Sequence, residues 1–283
     1  MKSREAVLAM LPTVPALPSA GIQFMEATRN PEAKVDDLVR ILEYDPSLTS
    51  NLLRLVNSPL FAGNRPIHSV REALIRLGFS KVLQLALTAA FAPLGRRPVA
   101  GYDLPPGAIL RNAIASALAV RELAKAAEVD EGDYIFTAAL LHDIGKIVMG
   151  AFAAADVGAV AAAAAERNLP FDEAEREVLG IDHAEAGAEL LKAWGLPGPI
   201  VAAVRWHHDP DRADPVCVGN DLVHLADQLT ALVGIGAGVD GLQYRPSGGA
   251  LSRLNIGPEA VEAAACNVLF QLEDFTMLAS GLE

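Results

Sequence analysis

The chain has 283 residues and a mass of 29.8 kDa, with 52% apolar residues, 20% charged residues and a net charge of −12. That composition supplies a sizeable core and excludes wholesale disorder; no apolar run reaches the roughly 18 residues of a membrane span, so no membrane role is expected. Duplex-binding proteins are usually basic, so the acidic balance argues against DNA as a principal partner.

The charge is unevenly spread. Of 23 Lys and Arg and 35 Asp and Glu, 12 and 8 respectively fall within residues 1–100, so the first part is net basic and the remainder strongly acidic. The opening MKSREAVLAMLPTVPALPSAG imitates a leader, with Lys2, Arg4 and a small-residue ending. Its apolar stretch Ala6–Leu11 is closed by Pro12 and falls short of the about 7–15 residues of a leader core, so it is read as part of the folded protein. Cys217 and Cys266 form neither a disulfide framework nor a CxxC pair. A reducing, cytoplasmic setting is the expectation.

Helical periodicity runs through nearly the whole chain. Val35, Leu38, Val39, Ile41 and Leu42 recur at spacings of three and four. Asp45–Pro46 opens a second helix with its stripe at Leu48, Leu52, Leu53, Leu55 and Val56. Asn57, Ser58 and Pro59 end it. Ser69 and Glu72 form a capping-box pattern for a helix that runs to Leu77 and stops at Gly78. Arg65, His68, Arg71, Arg76 and Lys81 make this stretch basic, a candidate surface for an acidic partner or a phosphate, although a solvated helix face explains it as well.

Residues 95–107, GRRPVAGYDLPPG, read as a linker. Ala-rich helices are predicted beyond it at about 108–127, 134–149, 151–167, 184–194, 198–208 and 218–233. DGLQYRPSGGA reads as a surface loop, and a last helix spans about Pro258 to Ser280. GIGAG at 234–238 lacks the strand–turn–helix setting of a dinucleotide loop and reads as a plain turn. Strand alternation is absent, so the fold class is all-α. The expected division is 1–100, 101–235, and 236–283 completing the second part.

Four of the six histidines fall in an informative order. His142 and Asp143 adjoin in AALLHDIGK, His183 follows in IDHAEAG, His207 and His208 in RWHHDP, and Asp227 in VHLADQL. Imidazole and carboxylate are the ligands that divalent metals accept, so these groups can converge on one or two ions. A metal there polarises a phosphoryl oxygen and acidifies bound water. Lys146, three residues after Asp143, can offer a phosphate a positive charge. Each residue also has a plainer explanation. His183 or His224 alone is an ordinary hydrogen-bonded core histidine, Asp182 and Glu185 look like a capping pair, and Asp227 can pair with His224 one turn earlier. Trp194 and Trp206, flanking LPGP, read as packing anchors.

HDIGK and the downstream histidines resemble the HD superfamily of metal-dependent phosphohydrolases. A closer resemblance is to the HDOD family, the HD-related output domain of bacterial signalling proteins. It is carried by LPTVPALPSAG, DPSLTSNLLRLVNSPLF, RPIHSVREALIRLG, ALLHDIGKIVMG and GIDHAEAGAELLKAWGLPGPIVAAVRWHHDP, from about residue 11 to 231. The resemblance implies a two-lobed helical HDOD architecture, an N-terminal helical lobe and an HD-like lobe. It also implies a regulatory role in signal transduction, through a signalling protein partner or through a small ligand such as a nucleotide second messenger. Its implied metal ligands are His142, Asp143, His183, His207, His208 and Asp227, for a divalent Fe, Mn, Mg or Zn ion. The chain departs from the catalytic pattern in two places. Asn112 stands where that pattern has its first histidine, and an amide is a poor metal ligand. HHDPDRADP lacks the GYP motif of the cyclic-di-GMP phosphodiesterase branch, HD-GYP. Regulation without catalysis is therefore expected, with a metal-dependent phosphohydrolase acting on a nucleotide or cyclic dinucleotide as the alternative.

Overall fold

A computed structural model describes residues 4–58, 65–129, 132–153, 157–236, 238–241 and 246–279. In chain order the helices are α1 (Arg4–Leu8), α2 (Ser19–Thr28), α3 (Val35–Glu43), α4 (Pro46–Val56), α5 (Val70–Leu77) and α6 (Phe79–Gly95). They continue with α7 (Ala108–Ala126), α8 (Gly132–Leu141), α9 (Gly145–Ala153), α10 (Val157–Arg167), α11 (Phe171–Leu179) and α12 (His183–Ala193). The last are α13 (Gly198–Arg205), α14 (Val218–Leu232), α15 (Gly248–Leu254) and α16 (Pro258–Ala279). Among the described residues there is no strand, only an isolated bridge between Val99 and Leu104. The all-α class holds.

Contacts divide the chain into two compact units, Met1–Pro15 with Gly95–Leu269, and Ala16–Leu94 with Phe270–Glu283. These boundaries differ from a division after residue 100. Met1–Pro15 groups with the HD-like part because α1 packs on α9 and α12, and Arg4 Nε donates to Glu185 Oε1 at 2.6 Å. The second boundary falls inside α16, between Leu269 and Phe270.

In the unit holding α2–α6, local signals set the helix ends. Asp45 accepts the Leu48 N–H at 2.9 Å, with Pro46 as the first helical residue of α4; such a cap contributes about 1 kcal/mol. Ser69 accepts the Glu72 N–H at 3.1 Å, and Glu72 Oε2 accepts from the His68 N–H at 2.9 Å, one residue earlier than an ordinary capping box. Asn57 closes α4 by donating to Leu53 and Ile67 carbonyls and accepting the Ile67 N–H. Pro59 lies outside the described residues. The helix α6 is buried along most of its length, from Val82 to Leu94, as its apolar sequence requires.

In the larger unit α7 is the central helix, packed against α8 and α14. The single helix expected at 134–149 is two helices. α8 ends at Leu141, a turn carries His142 and Asp143, and α9 begins at Gly145. The reason is close approach, because a Cβ on Gly145 would fall on the His183 carbonyl oxygen at the start of α12. Gly187 meets Gly145 from the other side of the same crossing. DGLQYRPSGGA is not simply a surface loop. Asp240 is buried, and α15 begins at Gly248; residues 242–245 lie outside the described residues. The short helix α11 escaped the sequence reading.

Candidate metal centre

Three histidines of the larger unit are oriented by their Nδ1 atoms. His142 Nδ1 donates to the Ala139 carbonyl at 2.8 Å, and His207 Nδ1 to the Val204 carbonyl at 2.7 Å. His183 Nδ1 donates to Glu175 Oε2 at 2.7 Å, and its main-chain N–H reaches the same oxygen. Tyr102 donates its hydroxyl to the other Glu175 oxygen. Tying Nδ1 to a carbonyl or carboxylate fixes the tautomer and aims Nε2 the other way, the arrangement that metal-ligating histidines adopt.

The Nε2 atoms converge. His142 Nε2 lies 3.2 Å from Asp227 Oδ1 and 3.4 Å from Asp143 Oδ2. His183 Nε2 lies 3.5 Å from Asp143 Oδ1 and 2.7 Å from His208 Nε2. His207 Nε2 is 3.9 Å from Asp143 Oδ1, and His208 Nδ1 is 3.7 Å from Asp227 Oδ2. Asp143 Oδ1, Asp227 Oδ2 and His207 Nε2 are buried with no hydrogen-bond partner. Orphaned polar atoms of this kind are costly when buried. Here they face one another.

Electrostatics calls for a cation at this point. A neutral His142 would aim a lone pair at two carboxylates. Burial alone would lower its affinity for a proton, but Asp143 and Asp227 outweigh that and push the imidazole up to about 10. His183 is raised in the same way, with Glu175 outweighing burial. His207, buried beside two such imidazoles, is driven down to about 3, and His208 falls as well. A proton or a metal ion can supply the cation. Two groupings have ligand atoms within 4.8 Å of one another: His183, His207 and His208, and His142, His207 and Asp227. This donor set fits a divalent transition metal.

Two residues set the centre apart. Asn112 on α7 donates its Nδ2 to Asp143 Oδ2 at 3.0 Å, so the amide acts as a donor where a ligand would accept. Lys146 donates to Asp143 Oδ2 at 2.8 Å and to Asp240 Oδ2 at 2.7 Å. Burial works against its charge, but Asp143 and Asp240 outweigh burial and hold it protonated.

The candidates of the sequence separate into two groups. Asn112, His142, Asp143, Lys146, His183, His207, His208 and Asp227 come together. Asp227 pairs with His142 rather than with His224, which donates to the His207 carbonyl and accepts the Ser247 N–H. Arg65, His68, Arg71, Arg76 and Lys81 belong to the other unit. There Arg71 pairs with Asp36, and Arg76 bonds Glu72 and the Arg65 carbonyl. Trp206 carries Arg205 over its ring at 4.6 Å. Sequence reasoning missed Tyr102, Glu175 and Asp240, whose partners are remote in sequence.

The HDOD domain profile matches residues 14–210. The chain is 28% identical over 201 residues to an uncharacterised protein of Treponema pallidum (strain Nichols), matching 69% of this chain and 38% of that protein. It is 37% identical over 95 residues to ribonuclease Y of Thermus thermophilus, 32% of this chain and 16% of that enzyme. The chain thus spans well under half the length of these curated relatives. Among solved structures, an HDOD domain protein of unknown function from Geobacter sulfurreducens superimposes with a TM-score of 0.69 at 21% identity, covering 98% of this chain and 97% of that one. A Shewanella amazonensis SB2B protein, a phosphohydrolase by assigned name only, gives 0.70 at 21% identity, covering 98% of each chain. At this identity the likenesses establish the fold alone. Profile match and helical fold agree, and the chain belongs to the HDOD family.

Proposed function

We propose that the protein is a regulatory HDOD module in signal transduction, acting through contact with a partner protein or through a small ligand, without phosphohydrolysis. The observation that carries this reading is the state of Lys146. It is 3% exposed and held between Asp143 and Asp240, so it offers no charge to a substrate phosphate. The other acids and imidazoles of the centre are buried as well, except His208, which is half-buried. A phosphate ester needs an open coordination position and room beside it.

The residues would hold a metal through His142, His183, His207, His208, Asp143 and Asp227, and a bound ion supplies Lewis acidity toward phosphoryl oxygen. Around it, Ala139, Val204 and Glu175 orient the imidazoles, Lys146 balances Asp143, and burial excludes water. In this reading the centre is a structural staple. The orphaned ligand atoms favour a second reading, a metal-dependent phosphohydrolase acting on a nucleotide or cyclic dinucleotide. The two are separated by turnover of cyclic di-GMP and nucleotide panels with Mn²⁺, Fe²⁺ or Mg²⁺. No turnover is expected; activity abolished by Asp143→Ala overturns the regulatory reading.

A further inference from the structure

The larger unit also holds an apolar cavity of about 600 Å³ between α7, α14, α15 and α16. Leu225, Leu229 and Leu232 of α14 form one wall, and Leu123, Leu251 and Val261 come from the other three helices. Leu232 is 71% exposed, a large apolar side chain left in solvent at this cavity. The volume lies within the roughly 300–1,000 Å³ typical of small-molecule sites.

Two polar residues line the same cavity. Gln228 does so with its side-chain Nε2 buried and without a hydrogen-bond partner. A buried amide donor left unsatisfied is unfavourable. As the side chain stands its Nε2 is closed to a water-sized group, and turning the flexible Gln228 side chain toward the cavity lets a ligand acceptor satisfy it. The other is Glu262, an exposed acid. Its charge disfavours a carboxylate or phosphate ligand beside it. We propose that the cavity binds an uncharged, mainly apolar small molecule carrying a carbonyl acceptor, such as an acyl ester, amide or lactone, with the carbonyl received by Gln228.

The walls are preorganised, which favours binding. Arg253 of α15 donates to both oxygens of Asp221 on α14, at 2.8 and 2.6 Å, and pairs with Asp211 at 2.7 Å. The cavity also adjoins the metal centre. Gln228 follows Asp227 directly on α14, and Pro246 of the cavity precedes Ser247, whose N–H bonds His224 Nε2. His224 in turn donates to the His207 carbonyl. Ligand contacts therefore fall on the helix that carries Asp227 and on a segment linked through His224 to the His207 carbonyl. The proposal deepens the sensing half of the regulatory reading and rests on it for consequence, whereas binding itself does not depend on it.

The test is titration of the full chain with Nile red, a neutral apolar fluorophore with a ring carbonyl, followed by displacement with methyl decanoate and with decanoate. Saturable one-site binding is expected, with the ester displacing at about tenfold lower concentration than the acid. Val261→Trp, and Leu232→Trp at the exposed position, should weaken Nile red binding at least about tenfold with unchanged circular dichroism. Gln228→Leu should weaken the ester about tenfold, the upper range for one neutral hydrogen bond. Absence of saturable binding, unaltered binding in both Trp variants, or preference for decanoate overturns the proposal. Phosphodiesterase turnover is measured on the same preparations. Failure of binding without turnover sinks the ligand proposal alone, and turnover with intact binding sinks only the regulatory reading.

Discussion

Asn112 donates to Asp143 across 3.0 Å, and the oxygen it reaches is the one that also receives Lys146. One carboxylate oxygen of the HD pair is thereby saturated by an amide and an ammonium, while the other, Oδ1, has no hydrogen bond. The acid is half committed to protein and half directed at the imidazoles.

Replacing Asn112 with His places an imidazole beside Asp143. Asn112→His should retain more metal per chain after purification than the parent, read by elemental analysis, yet remain without phosphodiesterase turnover because Lys146 stays buried. Equal metal content in the two proteins would count against the ligand assignment.

Lys146→Met leaves Asp143 and Asp240 buried without their shared cation. Breaking a buried pair of this kind costs about 3–5 kcal/mol. Urea denaturation should show that loss, and adding Asp240→Asn should recover part of it. A loss below about 1 kcal/mol, the level of an exposed pair, would contradict the burial of this ion pair.

Stability of the metal-free protein should depend on pH in two limbs. His142 keeps its proton up to about 10 in the fold against 6.5 ordinarily, so its contribution is complete below 6.5 and is lost as pH rises toward 10. His183, also raised, adds to this limb. His207 stays neutral down to about 3, so its unfolded form takes up protons first, and stability falls as pH drops from 6.5 toward 3. Thermal melts in chelator should peak between the limbs, and His142→Asn should flatten the alkaline side. A melting temperature that climbs from pH 7 to 10 would refute this assignment.

His207 belongs to both ligand groupings. Adding Mn²⁺ or Zn²⁺ should raise the melting temperature, since an ion at a hundred times its dissociation constant stabilises by about 2.7 kcal/mol. In His207→Ala the rise should vanish, whereas His68→Ala, on the exposed surface of the other unit, should keep it. An equal rise in both variants would place the ion elsewhere.

The elements legible in sequence are those whose signals lie within a turn of one another. Asp45 with Pro46, Ser69 with Glu72, and Asp182 with Glu185 each announce a helix start because the cap and the N–H it accepts are three residues apart. The histidine order was readable for a different reason, resemblance to a known pattern. Asp240 was not readable, since its partner Lys146 is 94 positions away and a flanking Gly-rich stretch looks like loop. Glu175 was hidden in FDEAEREVL, a short and heavily charged segment whose burial depends on Tyr102 and His183. Continuous apolar character from 134 to 149 masked the break at the HD pair, because crowding by His183 is invisible in a linear pattern.

The crossing of α9 and α12 at Gly145 and Gly187 leaves no room for a methyl group. Asp143 and His183 are thus registered by main chain on main chain, and their spacing owes nothing to a bound ion or to the identity of the remaining ligands. Such a scaffold tolerates erosion of its chemistry. A residue beside the pair, such as Asn112, can be exchanged while the rest of the constellation stays in place, which frees the outer surfaces of the same helices to acquire new duties.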